Sequence, residues 1–270
     1  MRQLIVNADD FGASPAVNAA IIKSFTEGIV TSASLMVTGE AFEEAVALAR
    51  DHPGLAVGLH VVLLSGRACL PSARIPHLVD AQGCLPENPL TAGIHWAFSR
   101  AARRELRQEI DAQVERFVAT GLPPDHLNSH RHFHVHPVVF SLLREAAERL
   151  GVRHIRLPAE PWRFSLALDR RGLLQQLPYI AAFGLLGAWY RPRLPHHGID
   201  GVFGLLRTGR IDEDYLIRLL RSLPEGRYEL YTHPRLDTEQ GRRELAALLS
   251  PQVRQIVQER RIALLTYSQL

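Results

Sequence analysis

Short apolar runs alternate with longer amphipathic stretches along most of the chain. The short runs, several of them rich in β-branched residues, predict strands, and the stretches with apolar residues at helical spacing predict helices. The predicted strands cover residues 4–7, 31–37, 55–63, 126–130, 154–158, 201–206, 228–232 and 262–267. The predicted helices cover residues 18–27, 41–50, 101–120, 138–150, 213–222 and 239–249.

Strands that alternate with helices imply parallel pairing through right-handed crossovers. Eight predicted strands in 270 residues indicate an α/β fold, a distorted and closed or nearly closed (β/α) barrel. No internal repeat or linker divides the chain, so we expect one domain over residues 1–270. Two irregular insertions interrupt it, at about 65–99 and 160–200, where prolines are frequent and no clear period is seen.

The composition narrows the range of partners and locations. Lys and Arg number 31 against 28 Asp and Glu, and the small net charge of +3 indicates no nucleic-acid partner. Cys69 and Cys84 form no C-x-x-C pair and no disulfide framework. The first apolar run is too short for a signal peptide, which predicts a cytoplasmic protein. The apolar stretch 179–190 is also shorter than the roughly 20 residues that span a bilayer.

Polar residues suited to catalysis fall at or near the carboxyl ends of the predicted strands. Catalytic groups gather at this rim in α/β barrels, so the shared position predicts an active site. A single histidine in an apolar strand is usually a core residue, and a single arginine is usually a surface charge. The residues at this rim are Asp9, Asp10, His60, His130, Arg156 and His233.

A histidine cluster follows the fourth predicted strand. Five of the 13 histidines fall between His126 and His136. An extended chain would place His130, His132, His134 and His136 on one side, whereas a helical turn would bring His130 and His134 together. Neutral imidazole is a common metal ligand, so the cluster favours a metal site over a histidine-rich surface turn.

Asp9 and Asp10 form a carboxylate pair at the end of the first strand. Adjacent like charges repel, and a bound cation relieves that repulsion. One carboxylate can then bind the metal while its neighbour takes a proton from water. The alternative is an Asx turn before a helix, because Ser14-Pro15 is typical of a helix N-terminus.

Together these motifs resemble the YdjC-like carbohydrate deacetylases, nearly from end to end. The main signatures are NADDFG at 7–12, VTSASLM at 30–36, GLH at 58–60 and SHRHFH at 129–134. The chain most resembles the hopanoid-biosynthesis-associated branch. That likeness is carried by NSHRHFHVHP at 128–137, by RLPAEPW at 156–162 and by DGVFG at 200–204.

The resemblance implies a barrel of the glycoside hydrolase/deacetylase type with one divalent metal ion. Its ligands would be Asp10, His60 and His130, with His134 as a rival ligand and Asp9 as the general base. The donor set suits Zn²⁺, Mg²⁺, Mn²⁺ or Co²⁺. The implied reaction removes an N-acetyl group from an amino sugar, here an N-acetylglucosaminyl hopanoid.

Further residues receive roles beside this metal site. By the resemblance Arg156 would orient the base, and His233 is the candidate acid because of its position at the rim. We expect His132, Asp200 and Trp162 to contact the substrate.

The resemblance has one departure that concerns the substrate. Chitooligosaccharide-acting members carry DSHHH where this chain has NSHRH at 128–132, which argues against chitooligosaccharide as substrate. A soluble N-acetylated oligosaccharide remains the alternative acceptor. Two different functions also fit the motifs: a phosphoesterase on the same barrel, which would need carboxylates for a second metal, and a non-catalytic binding protein.

The stretch 173–190 is unusually apolar and has arginines on both sides. A buried helix with charged ends would explain it. A second explanation is a lid at the mouth of the active site that shields a lipid-linked sugar. Aromatic rings beside arginines suit the interface of a membrane, so this stretch also predicts peripheral contact with the inner membrane face.

Overall fold

Seven parallel strands form one curled sheet in the part of the chain that the computed structural model describes, residues 1–168, 173–194 and 198–270. The strands are β1 (Arg2–Phe11), β2 (Ser32–Leu35), β3 (Ala56–Val61), β4 (Pro124–Ser129), β5 (Gly201–Phe203), β6 (Gly226–Thr232) and β7 (Ile262–Leu264). The order across the sheet is β4-β3-β2-β1-β6-β5, and β7 pairs with the start of β1. This half-barrel of parallel strands confirms the predicted α/β class.

The predicted strand at 154–158 is wrong, because this segment makes only an isolated bridge between Ile155 and Leu127. Its following residues instead reach β5, where the Val202 N–H donates to the Ala159 carbonyl at 3.1 Å. Pro158 lacks the N–H that a ladder needs, so regular pairing stops there. The segment nevertheless links the two outer strands β4 and β5 by a few hydrogen bonds.

The helices pack around the sheet, and the six predicted ones are observed to within a few residues. Prediction missed three helices, Pro89–Phe98 inside the insertion at 65–99, Trp162–Leu168 and Pro251–Glu259. A helix was one of the two explanations for the stretch 173–190, and Leu173–Tyr190 is helical. The helices are α1 (Pro15–Thr26), α2 (Phe42–Asp51), α3 (Pro89–Phe98), α4 (Arg100–Val118), α5 (Pro137–Leu150), α6 (Trp162–Leu168), α7 (Leu173–Tyr190), α8 (Glu213–Ser222), α9 (Glu239–Leu249) and α10 (Pro251–Glu259). No helix among the described residues combines the length and the apolar character needed to cross a membrane.

Alternate residues of β1 face the inside of the curled sheet. Ile5 packs there in an apolar cluster with Tyr231 and Tyr267. Asn7 and Asp9 follow on the same face, because side chains in a strand repeat with a period of two. The interior therefore changes from apolar to polar toward the carboxyl ends of the strands, where the functional residues lie.

Candidate active site

A bulge near the end of β1 presents both aspartates to one cavity. The register of β1 against β2 shifts between Ala8 and Phe11, and Asp10 has a φ of 68°. In a regular strand neighbouring side chains point to opposite faces. The left-handed backbone at Asp10, which aspartate tolerates better than most residues, turns its carboxylate to the cavity that Asp9 also lines.

The predicted metal ligands Asp10, His60 and His130 come together at this point. Asp10 Oδ1 lies 3.1 Å from His130 Nδ1 and 3.3 Å from His60 Nε2. One potential ligand atom from each of the three lies within 4.8 Å of the others. One carboxylate and two imidazoles form a donor set that suits a divalent cation.

The His60 ring is oriented for such a role by its neighbour. Its Nδ1 lies 2.6 Å from Asn128 Oδ1, which accepts a hydrogen bond and so places the ring proton on Nδ1. The lone pair of Nε2 then faces Asp10. A hydrogen bond of this kind on the far nitrogen is the usual way in which proteins fix the tautomer of a metal-binding histidine.

The rival ligand His134 is engaged elsewhere. Its Nδ1 lies 2.9 Å from Ser129 Oγ and its Nε2 lies 2.7 Å from the Arg156 carbonyl oxygen, so both ring nitrogens have protein partners. Burial lowers the pKa of His134 to about 3. The chain at His130–Val135 is a 3₁₀ segment with left-handed residues at 131 and 132, so His130 and His134 do not share a helical face. This geometry favours His130 as the ligand.

Asp9 is held beside these residues by a buried arginine. Arg156 Nη1 donates to Asp9 Oδ2 at 2.6 Å and Nη2 to Oδ1 at 3.0 Å, while Nε donates to Glu229 at 2.6 Å. Asn7 and Asn128 donate to Asp9 Oδ1 as well. Burial alone would raise the pKa of Asp9, but the charge and hydrogen bonds of Arg156 outweigh it and hold the pKa well below its usual range. Asp9 is therefore an ionised carboxylate with a fixed orientation.

The two aspartates open into a cavity of about 720 Å³ that His233 and His132 also line. His233 Nε2 lies 4.0 Å from Asp9 Oδ2, and its backbone N–H donates to Glu244. His132 is buried edge-on against Tyr231, with ring centroids 4.7 Å apart. The structure thus brings the predicted acid and one predicted substrate contact to the site.

Several further residues line the cavity, and none of them was assigned to the site from the sequence. Arg131 Nη1 donates to Ser65 Oγ at 2.6 Å and to the Glu87 carbonyl at 2.8 Å, which ties the histidine segment to the insertion at 65–99. Thr208, in the loop that follows β5, also lines the cavity. The insertion at 65–99 and the loop after β5 carry no periodic or clustered pattern. Arg131 lies within the histidine cluster, where the sequence marks it only as a departure from the chitooligosaccharide-type motif.

The remaining two predicted substrate contacts do not reach the cavity. Asp200 precedes β5, and its carboxylate accepts the Arg227 N–H at 2.8 Å at the start of β6. It therefore lies at the amino end of the sheet, opposite the site. Trp162 begins α6, is about half exposed and lies against Arg163. We correct both assignments, because neither side chain is among those that line the cavity.

A curled parallel sheet with a carboxylate and two imidazoles at its carboxyl end, beside a carboxylate paired with arginine, is a fold and site typical of metal-dependent α/β hydrolases. Comparison with known families makes this specific. Residues 3–259 match the family described as YdjC-like protein. The chain belongs to the YdjC-like family, as its motifs predict.

Three deacetylases from other bacteria are similar to this chain, each over a different share of its length. A carbohydrate deacetylase from Brevibacillus brevis is 34% identical over 99% of both chains. A carbohydrate deacetylase from Geobacillus stearothermophilus is 45% identical over 60% of each chain. A chitooligosaccharide deacetylase from Serratia marcescens is 37% identical over 66% of this chain and 65% of that protein. The last two matches thus span less than two thirds of those relatives.

A solved structure shares the whole fold. It is a protein from Enterococcus faecalis V583 described as a candidate cellobiose-phosphate cleavage protein, with a TM-score of 0.76 and 25% identity. The match covers 99% of this chain and 98% of that one. The parallel half-barrel is therefore common to both proteins.

Proposed function

We propose that this protein is a metal-dependent carbohydrate deacetylase that hydrolyses the N-acetyl group of an amino sugar. The observation that carries the proposal is the ionised Asp9 carboxylate, which Arg156 holds in the same cavity as the possible metal ligands. Three of the similar proteins named above are carbohydrate or chitooligosaccharide deacetylases, which supports the same reaction.

The residues of the cavity take separate roles in this reaction. Asp10, His60 and His130 would hold a divalent ion, which when bound polarises an amide carbonyl and lowers the pKa of water. Asp9 Oδ2 accepts a proton from the water that attacks the acetyl carbon. His233 Nε2, 4.0 Å from that oxygen, protonates the sugar nitrogen as the C–N bond breaks. The proton on Asp9 then returns to His233, and the products are acetate and the protonated amine.

We further propose a lipid-linked acceptor, an N-acetylglucosaminyl hopanoid. Phe183 of α7 and Leu205 give the cavity an apolar wall. On the same helix Leu185 is 73% exposed and Trp189 is 51% exposed. A polycyclic lipid would cover such side chains, and peripheral contact with a membrane would do the same. Arg131 at the cavity is one of the departures from the chitooligosaccharide-type motif.

A phosphoesterase with two metals would need a second set of ligands on the same barrel. Among the described residues, Asp10, His60 and His130 are the one group of three potential ligands that lie close enough together to share an ion. This supports a single metal ion.

Release of acetate from two acceptors tests the proposal. N-acetylglucosaminyl hopanoid in detergent and soluble N,N′-diacetylchitobiose are compared with and without chelator, and metal is then added back. We expect chelator-sensitive hydrolysis with preference for the lipid-linked acceptor. Preference for chitobiose would contradict the lipid assignment alone, and acetate release that survives full metal removal would contradict the reaction.

A further inference from the structure

A continuous set of buried hydrogen bonds runs from the active site through the interior of the sheet. Ser34 Oγ on β2 lies 2.8 Å from Asn128 Nδ2 and 2.9 Å from Asn7 Nδ2. The same oxygen lies 2.9 Å from His126 Nε2, and His126 Nδ1 lies 3.2 Å from Asp125 Oδ2. Asp125 is 8% exposed and the other four side chains are fully buried. None of the proposed catalytic steps uses Ser34, His126 or Asp125.

The chemistry of the groups fixes the direction of each hydrogen bond. Asp9 is an ionised acceptor, so Asn128 and Asn7 must turn their NH₂ groups toward it and toward Ser34. These two donors occupy both lone pairs of the Ser34 hydroxyl. Its single proton is then donated to His126 Nε2. His126 is therefore neutral, with its proton on Nδ1, and donates to Asp125.

At its active-site end this network orients two functional groups, His60 and Asp9. With its NH₂ group committed to Ser34 and Asp9, Asn128 can offer only Oδ1 to His60 Nδ1, at 2.6 Å. That contact leaves His60 Nε2 free to face Asp10. The remaining N–H of Asn7 reaches Asp9 Oδ1 at 2.8 Å. One serine hydroxyl thus fixes the two amides that orient the base and one metal ligand.

The opposite end is anchored to the backbone. Asp125 accepts the Ser268 N–H at 2.9 Å. Burial opposes ionisation of Asp125, whereas the hydrogen bonds from His126 and Ser268 favour its ionised form. The His126 ring stacks on Tyr267 with centroids 4.1 Å apart. A Cβ at Gly58 would lie 2.5 Å from that ring, so only glycine leaves room for it.

We propose that Ser34, His126 and Asp125 are positioning residues, a relay that orients Asn128 and thereby His60 and Asp9 for metal binding and catalysis. The inference rests on the proposed metal site and deacetylase function. It gives a physical role to Ser34 and Gly58, which belong to the motifs at 30–36 and 58–60 but are not among the residues that line the cavity.

Zn²⁺ affinity of the folded protein, measured by titration calorimetry, tests the relay without any sugar. S34A removes the shared hydroxyl, and H126F keeps an aromatic ring on Tyr267 but cannot accept the Ser34 proton. We expect both to weaken Zn²⁺ binding about 10- to 100-fold, as loss of groups that orient metal ligands does elsewhere. H126Q, whose Oε1 can accept that proton, is expected to restore affinity to within a few-fold of wild type.

S24A is the matched control, because Ser24 is equally buried and donates at 2.8 Å to the Ala20 carbonyl in α1, away from the site. Equal Zn²⁺ affinity in S34A and S24A would overturn the relay. So would ¹⁵N NMR of the metal-free wild type that places the His126 proton on Nε2. A wild type that binds Zn²⁺ but releases no acetate contradicts the proposed function alone, and weakened binding in S34A would still support the relay.

Discussion

Replacement of Glu160 by glutamine is expected to change how folding stability depends on pH. Glu160 is 7% exposed and follows the segment that links β4 to β5. Its Oε1 accepts from Ser165 Oγ at 2.7 Å, and its Oε2 accepts from the Leu206 N–H at 2.8 Å. These bonds only partly offset burial, which raises the pKa of Glu160 from an ordinary 4.5 to about 7.

The direction in which stability changes with pH follows from the number of protons that the folded and unfolded states bind. Between pH 4.5 and 7 the folded state holds a proton on Glu160 that the unfolded state has lost, so stability falls as the pH rises. The stabilisation that comes from this bound proton is fully present below pH 4.5 and is lost as the pH rises through 7. A pKa difference of about 2.5 corresponds to about 3 kcal/mol. The nearby phenols of Tyr215 and Tyr231 have raised pKa values and stay neutral over this range.

Urea unfolding at several pH values between about 4.5 and 8 measures the effect. E160Q carries no charge at any pH, so we expect it to match the wild type near pH 4.5 and to exceed it by about 3 kcal/mol near pH 8. E148Q, at an exposed position on α5, is the control and is expected to run parallel to wild type. A parallel profile for E160Q would refute the reasoning that burial holds this carboxyl protonated.

Three further predictions concern the site and its surroundings. D9N is expected to keep its Zn²⁺ affinity while its turnover falls about 10²- to 10⁴-fold, whereas H130A is expected to lose both. Near-normal turnover of D9N would exclude Asp9 as the base. R156K keeps the charge but loses the two-point contact with Asp9, so turnover should fall at least roughly tenfold while Zn²⁺ affinity is retained; unchanged kinetics would show that orientation of Asp9 is unimportant. The double substitution of Leu186 and Trp189 by serine should reduce weak, salt-sensitive sedimentation with anionic liposomes; equal sedimentation would exclude α7 as the contact.

The sequence predicts the helices and most strands because their patterns are local and repeated. The interior of α4, for example, places Leu106, Ile110, Val114 and Phe117 on one buried face. The segment at 154–158 has the same apolar character but fails as a strand, because a ladder also needs N–H groups that Pro158 lacks. Whether a short apolar run joins a sheet depends on such groups as well as on hydrophobicity.

The candidate site is predictable in outline for a similar reason. Carboxyl ends of parallel strands meet at one edge, so Asp10, His60 and His130 could be brought together from strand positions alone. Asp200 fails the same argument, because it comes before β5 and lies at the other edge. Spacing in the sequence cannot decide whether His130 or His134 is the ligand, because the answer depends on left-handed residues that no spacing rule predicts.

Backbone strain is concentrated around the cavity. Among the described residues, five that are not glycine have positive φ, and four of them line the cavity: Asp10, Ser65, Arg131 and His132. Each such conformation costs on the order of 1 kcal/mol and persists only where its surroundings hold it. At Asp10 the Ala13 N–H donates to its carbonyl at 2.9 Å, and the Met36 N–H donates to the next carbonyl at 2.7 Å. These backbone contacts hold the bulge that turns the Asp10 carboxylate toward His60 and His130, so the position of this carboxylate is fixed by its supporting hydrogen bonds as well as by its own strand.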